Sequence, residues 1–496
     1  MTGSYDAIVV GGGHNGLVTA VYLAREGWET LVLERNDSVG GAVRSAELTR
    51  DGFVHDCYAT NQNLFLGSPV WEDLQEELQA HGLSFAHSEK PYCNVFPDGT
   101  ALRVYQDTEA TRSELREHNA ADASGWTELQ AKFETFERTL LPLYGTPLPS
   151  YEAVKQLASA ARELGYHDLM ELFQIVSSST RELGDVYFDS EEAKALVAPW
   201  GMHLDYGPDV SGGAMFPFIE TFTDMNVGIS IVEGGASNLV EALAGVCEDA
   251  GGTVRTNAEV DRITVDKAGR ATGVELTDGE RIHAREAVVA NLTPTVLFDD
   301  LIADPDIPPG VSEQVDDYTY GPGTMMIHLA LSDLPDWEAD EEISEFAYVH
   351  IGPYVDDLAE TAAAIRTERD DLEARVRDLE RAAVSDAIDD FETVSKGDTA
   401  WRIGVLDGVD PNDAGEAAKD AVSDSDVVVA VGGENRPYLV VAAGDDSGVH
   451  AGSVVDDVTD TYGGGGGGGP PFAQGGGLDA SPSDVLDAVR GWEPRE

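Results

Sequence analysis

The sequence predicts an α/β fold: a nucleotide-binding domain in two stretches with an inserted α+β domain, then a helical arm and a small α/β domain. Three observations predict it. A β-type run, a glycine loop and an amphipathic helix follow one another within the first 26 residues. The α/β texture returns near Val232 after a mostly helical stretch. Past about Tyr354 a charge-dense segment with heptad spacing separates this part from a second, shorter α/β alternation.

Taken in order, Tyr5–Val10 reads as a strand, Gly11–Gly16 as a loop, and Leu17–Glu26 as a helix closed by Gly27. Glu29–Leu33 is a second strand ending at Glu34, which completes a βαβ unit. A glycine-containing loop, Asn36–Ala42, follows. From about Trp71 to Asp205 the chain reads mostly as helices, with strands at Tyr92–Phe96 and Leu102–Tyr105; such a segment shapes a substrate cavity. Gly234-Gly235 precedes a helix at Asn238–Ala250, and strands follow at Thr253–Thr256, Val260–Val265, Ala271–Leu276 and Ala287–Ala290. Ile365, Leu372, Val376, Leu379 and Ala383 lie at heptad-type spacings over too short a length for a long coiled coil, and predict a helical hairpin arm. The last part reads as strand Trp401–Leu406, helix Asp413–Val422, strands Asp426–Val431 and Tyr438–Ala442, and helix Val454–Thr461. The glycine runs Gly463–Gly469 and Gly475–Gly477 precede a closing helix, Pro482–Arg490. The expected limits are 1–75 and 226–300 for the nucleotide-binding domain, 76–225 and 301–360 for the substrate domain, 361–392 for the arm and 393–496 for the last domain.

Composition narrows the setting. Against 31 Lys and Arg stand 92 Asp and Glu, a net charge of −61 spread along the whole chain and within helices that keep apolar faces. Dispersed acidity on a folded chain suits high salt, where repulsion is screened over ~3 Å at 1 M, so a halophilic cytoplasm is expected. The same charge opposes nucleic-acid binding by simple attraction. No apolar run reaches the ~18 residues of a membrane span. The opening residues lack the basic start of a secretory leader. Cys57, Cys93 and Cys247 are too scattered for a disulfide framework, a metal knuckle or a redox pair.

Gly11-Gly12-Gly13-His14-Asn15-Gly16 fits G-x-G-x-x-G between a strand and a helix. Gly11 allows the tight turn, Gly13 admits a pyrophosphate, and Gly16 lets the helix sit close on the strand. The helix N-terminus offers free N–H groups to the phosphates. Glu34 is placed to accept hydrogen bonds from ribose hydroxyls. His14 occupies an x position of the motif and is read as a loop residue rather than a base. Glu34-Arg35, then Gly40-Gly41-Ala42-Val43-Arg44, resembles the E-R-x-x-x-x-G-G-x-x-R/T element of flavoproteins related to phytoene desaturases and amine oxidases, in which the two glycines run along the cofactor. The stretch Val232–Leu243, with Gly251–Val260, Gly273–Leu276 and Ala287–Asn291, is similar to the matching region of the phytoene dehydrogenase-like FAD oxidoreductases. The resemblance spans about residues 4–358.

The resemblance implies FAD as cofactor and a dehydrogenase or desaturase acting on a small apolar substrate, with the electron acceptor left open. It implies contacts from Gly11, Gly13, His14, Asn15, Gly16, Glu34, Arg35, Gly40, Gly41, Ala42, Arg44, Val260 and Asn291. A backbone group near Val260 would meet the adenine edge, and Arg44 either a phosphate, the flavin or solvent. His55, Asp56 and Tyr58 follow the glycine turn without an assigned role. The family's late glycine segment, which helps cover the flavin, has no match here. The oxidoreductase part therefore reads as ending near Tyr354–Thr361. From about Thr361 the chain resembles the C-terminal DHH-associated domain of archaeal alanyl-tRNA synthetases, carried by Gly463–Gly469, Phe472-Ala473-Gln474 and Gly475–Gly477. That resemblance implies tRNA contact and homodimer formation. The chain reads as a join of two incomplete proteins, with an RNA-binding or dimerisation module on a vestigial flavoprotein scaffold as the alternative function.

Overall fold

The computed structural model describes residues 3–303, 307–308, 310–321, 325–352, 354–397, 399–406, 408–433 and 437–493. The chain divides into two compact units, Met1–Ala362 and Ala363–Glu496.

The first unit is built on a six-stranded sheet in the order Val260–Val265, Ala271–Leu276, Arg281–Ala290, Ser4–Val10, Thr30–Leu33, Thr253–Arg255. The last four strands pair in parallel and the first three form an antiparallel meander. Ala7–Val10 and Thr30–Leu33 are buried throughout, as continuous apolar runs in a sheet covered on both faces must be. The helix His14–Arg25 buries Gly16, Leu17, Ala20, Val21 and Ala24, a single stripe at helical spacing. It shares one core with the helix Ser237–Asp249, through Leu239, Val240 and Leu243. Ile8, Val10, Leu31 and Leu33 point the other way, into a core with Ile263, Val274 and Ile282. This alternation follows from the two-residue repeat of a strand.

The inserted part folds around aromatic side chains. Trp126, Phe133, Phe136, Trp200, Phe218 and Phe222 are buried together, each large side chain contributing roughly 1.5–3 kcal/mol through removal from water. A small sheet places Tyr92–Val95 between Tyr348–Ile351, which is parallel to it, and Ala101–Val104, which is antiparallel. Phe85–Ser88 pairs with Ile229–Val232, joining the insert to the return into the main sheet.

The second unit holds a six-stranded sheet in the order Glu392–Lys396, Thr399–Leu406, Asp426–Gly432, Tyr438–Ala443, Phe472–Gly476, Gly465–Gly468. Val427, Val429 and Val431 face one core and Val428 and Ala430 the other. The expected hairpin arm is corrected: a single helix, Val355–Asp389, runs through the segment without reversal. Ile365, Leu372, Val376 and Leu379 are half or more exposed on it, whereas Val384 and Ile388 are buried.

The glycine run is an edge strand. Gly466 opposes Gly475, and Gly468 opposes Ala473. A Cβ at Gly466 would lie 2.5 Å from the Gly475 Cα and 2.9 Å from the Val455 side chain, while one at Gly467 would meet nothing. Backbone packed this closely on a helix excludes side chains. Gly466→Ala should therefore destabilise the second unit by about 1–3 kcal/mol. Gly467→Ala should be neutral or stabilise by about 0.4–1 kcal/mol, read as the difference in denaturant midpoint between the two variants.

Candidate functional site

The site lies where parallel strands end. Val10, Leu33, Arg255 and Ala290 close four strands, and the residues that follow them converge, as ligand sites do at the carboxyl ends of parallel strands. Gly11 adopts a φ of +98°, which an L side chain rarely takes, and so turns the chain from strand to helix. A Cβ at Gly16 would fall 2.4 Å from the Gly11 carbonyl oxygen, so only glycine lets the helix approach. Gly13 precedes the helix His14–Arg25 in extended conformation and no side chain caps it. Its first-turn N–H groups are thus left for a ligand, beside the positive end of the helix dipole.

Glu34 is 6% exposed. Its Oε2 accepts a hydrogen bond from the Gly12 N–H at 2.9 Å, and its Oε1 accepts from the Asn36 N–H at 2.9 Å and the Asn36 Nδ2 at 2.6 Å. Each carboxylate oxygen has further lone pairs, so the acid is oriented without being saturated. The second glycine turn is attached to the first: the Gly40 N–H donates to the Gly12 carbonyl at 2.9 Å, and Gly13 bridges Gly40. Beyond that turn Ser45–Ala46 pairs with His55–Asp56. The Asp56 carboxylate accepts from Ser45 Oγ and from the Ala236 N–H, both at 2.7 Å, tying the turn to the start of the helix Ser237–Asp249.

These elements enclose a cavity of about 740 Å³. Of the residues anticipated from sequence, Gly11, Gly13, His14, Glu34, Arg35, Gly41, Ala42, Val260 and Asn291 line it. Asn15, Gly16, Gly40 and Arg44 do not; Gly16 and Gly40 are buried behind it, and Asn15 and Arg44 are exposed. His14 keeps solvent contact, yet desolvation by the surrounding protein holds its imidazole below the ordinary range. Sequence reasoning missed Asn36, Glu259, Asp261, Thr277 and Thr293, which also line the cavity. The local signal was closeness in sequence to anticipated residues: Asn36 two after Glu34, Glu259 and Asp261 on either side of Val260, and Thr293 two after Asn291. Cys57, Cys93 and Cys247 are all buried and free, and burial pushes the Cys93 thiol up to about 12 and Cys247 up to about 11, so neither presents a thiolate.

Residues 16–362 match the model of the flavin containing amine oxidoreductases. The chain belongs to that family. Residues 399–492 match the DHHA1 domain. The mouse pyridine nucleotide-disulfide oxidoreductase domain-containing protein 2 is 28% identical over 363 residues, which cover 68% of this chain and 61% of that protein. A limonene dehydrogenase component from Castellaniella defragrans is 30% identical over 316 residues, covering 60% and 54% respectively. The neurosporene-forming phytoene desaturase of Rhodobacter capsulatus is 25% identical over 302 residues, covering 58% and 52%. The chain thus spans between half and two thirds of the length of these relatives. Family membership makes the cofactor a flavin, and the glycine cradle fits one: the positions that a Cβ would fill lie beside the cavity.

Gly16→Ala should separate the helix from its loop. The expected outcome is a lower thermal midpoint together with loss of bound flavin, whereas His14→Ala should retain both; absorbance and a melting scan on the two variants check this.

Proposed function

We propose that the chain is an FAD-dependent oxidoreductase of dehydrogenase or desaturase type acting on a small apolar substrate in the cytoplasm. The attachment of the Gly40–Gly41 turn to the Gly11–Gly16 loop carries this reading, because a plain nicotinamide site has no need of a second glycine turn. In the bound state Gly13 and the first turn of the helix would hold the pyrophosphate, and Glu34 the ribose hydroxyls. The backbone at Val260 would meet the adenine edge, and Gly41 and Ala42 would run along the cofactor. FAD supplies acceptance of a hydride; the chain supplies position and exclusion of water. The names of two relatives, a limonene dehydrogenase and a phytoene desaturase, support a hydrocarbon substrate.

The test is the visible spectrum of the full chain in molar KCl after FAD is added and the excess removed. Flavin bands at a one-to-one ratio are expected, and a colourless protein would oppose the reading. Glu34→Ala should weaken FAD binding by about 10–100-fold, the equivalent of roughly 1.4–2.7 kcal/mol for lost charge-assisted hydrogen bonds to the ribose.

The acid excess supports a halophilic setting. Stability should rise steeply as KCl is raised from dilute buffer toward molar concentrations, as followed by circular dichroism. A second reading concerns the second unit. Its glycine edge strand, with Tyr438, Pro411 and Gln474, lines a cavity of about 460 Å³, which supports tRNA contact by the DHHA1 domain. A gel shift of tRNA by the full chain in high salt, with no shift as the opposing result, decides it.

A further inference from the structure

The first unit exposes an apolar segment that no role above uses. Met325–Leu331 reads MMIHLAL, an apolar run broken only by His328, of the kind that fills a strand covered on both faces. Among the described residues it pairs with no strand and lies in no helix. Met325, Ile327, Leu329 and Leu331 are between 49% and 81% exposed, while His328 and Ala330 between them are half-buried. One side of the run therefore meets the protein, and the other offers a row of large apolar side chains. In a chain with 92 acids, no Asp, Glu, Lys or Arg occurs from Tyr318 to Ser332. A contiguous apolar surface left open in this way marks a binding site.

Two contacts set the row beside the cofactor cavity. His328 packs on His55, with ring centroids 5.2 Å apart. His55 is held by Thr49 Oγ1, 2.8 Å from its Nε2, and lies on the strand His55–Asp56 of the hairpin beyond the second glycine turn. The residues that follow return to that turn: the Cys57 N–H donates to the Arg44 carbonyl at 2.7 Å, and the Ala59 N–H to the Ala42 carbonyl at 3.2 Å. Ala42 lines the cavity. At the other end, the Tyr320 hydroxyl and Thr295 Oγ1 share a hydrogen bond of 2.6 Å, two residues from Thr293, which lines the cavity too. The hairpin adds apolar surface of its own, because Leu48, Phe53, Val54 and Tyr58 are exposed.

We propose that Met325–Leu331 and the hairpin around His55 form the seat of the substrate, and that this substrate is an uncharged, largely hydrocarbon molecule rather than an amine. The proposal rests on the FAD reading and gives its substrate a place. An ammonium group taken out of water needs a carboxylate beside it. The row has none, and the Asp56 carboxylate next to the contact already accepts from Ser45 Oγ and the Ala236 N–H. A hydrocarbon needs only apolar surface to share, and gains in proportion to the area covered. The row supplies that surface on one side and the hairpin on the other, with the two histidine rings joining them.

The test uses diphenylhexatriene, a rod-shaped hydrocarbon whose emission flavin absorbs, and its trimethylammonium derivative, each titrated into the full chain in molar KCl. The neutral probe should fluoresce on binding, lose emission to the flavin in the FAD-loaded chain, and bind more tightly than the cationic form. Ile327→Ser/Leu329→Ser should weaken its binding by about ten-fold or more. Bound flavin and thermal midpoint should stay as in the wild type, because both side chains are exposed. Phe173→Ser, which removes an exposed ring from the helix Tyr151–Ser177, should leave the affinity unchanged. Undiminished affinity in the double variant, an equal loss in Phe173→Ser, tighter binding of the cationic form, or emission that the bound flavin does not reduce overturns the seat. A chain that binds no flavin refutes the FAD reading, while the affinities of the two variants still decide the seat.

Discussion

The Gly11 carbonyl oxygen stands 2.4 Å from where a Cβ at position 16 would be, and that contact governs the cofactor side of the protein. Because Gly16 carries no Cβ to meet that oxygen, the helix His14–Arg25 can lie close on its loop. Because it lies close, its uncapped N-terminus reaches the ends of the parallel strands. The Gly12 N–H can then be claimed by Glu34, and the Gly12 carbonyl by Gly40. The second turn is carried onward by Ser45, Asp56 and Ala236 into the other stretch of the domain. Strands far apart in sequence are in this way locked to one backbone crossing.

The inserted part obeys a different constraint. Its interior is apolar and aromatic, around Trp126, Phe133, Phe218 and Phe222. An ionised carboxylate in such surroundings is costly, and no cation among the described residues offsets Asp224. The least costly state keeps a proton on the acid. Local conflicts of this kind, polar groups left unpaired in an otherwise consistent core, are where folds carry function.

The second unit shows how backbone can replace side chains. Val427–Val431 and Leu439–Ala443 are buried on both faces, and the sheet they form needs a further strand to cover its edge. Gly465–Gly468 supplies hydrogen bonds without bulk, under a helix whose Val455 leaves no room for a Cβ at 466 or 475. The heptad-spaced residues of Val355–Asp389 behave otherwise. Their spacing defined a helix face correctly, but spacing cannot say whether that face meets a partner, and four of its apolar residues remain exposed.

The sequence by itself determined the βαβ unit, the glycine loop, the acid at the end of the second strand and most elements of the second unit. Each depends on interactions within about 30 residues, where periodicity and turn chemistry are legible. It also carried Gly40–Gly41 through its spacing from Glu34. Only the tertiary structure decided that Asn36, Glu259 and Asp261 join Val260 and Asn291 on one cavity, because strands distant in the chain must first pair. It alone decided that the glycine run is a strand. It alone decided that Asp224, one of 92 acids, is buried beside Asn63, away from the water that would have kept it charged.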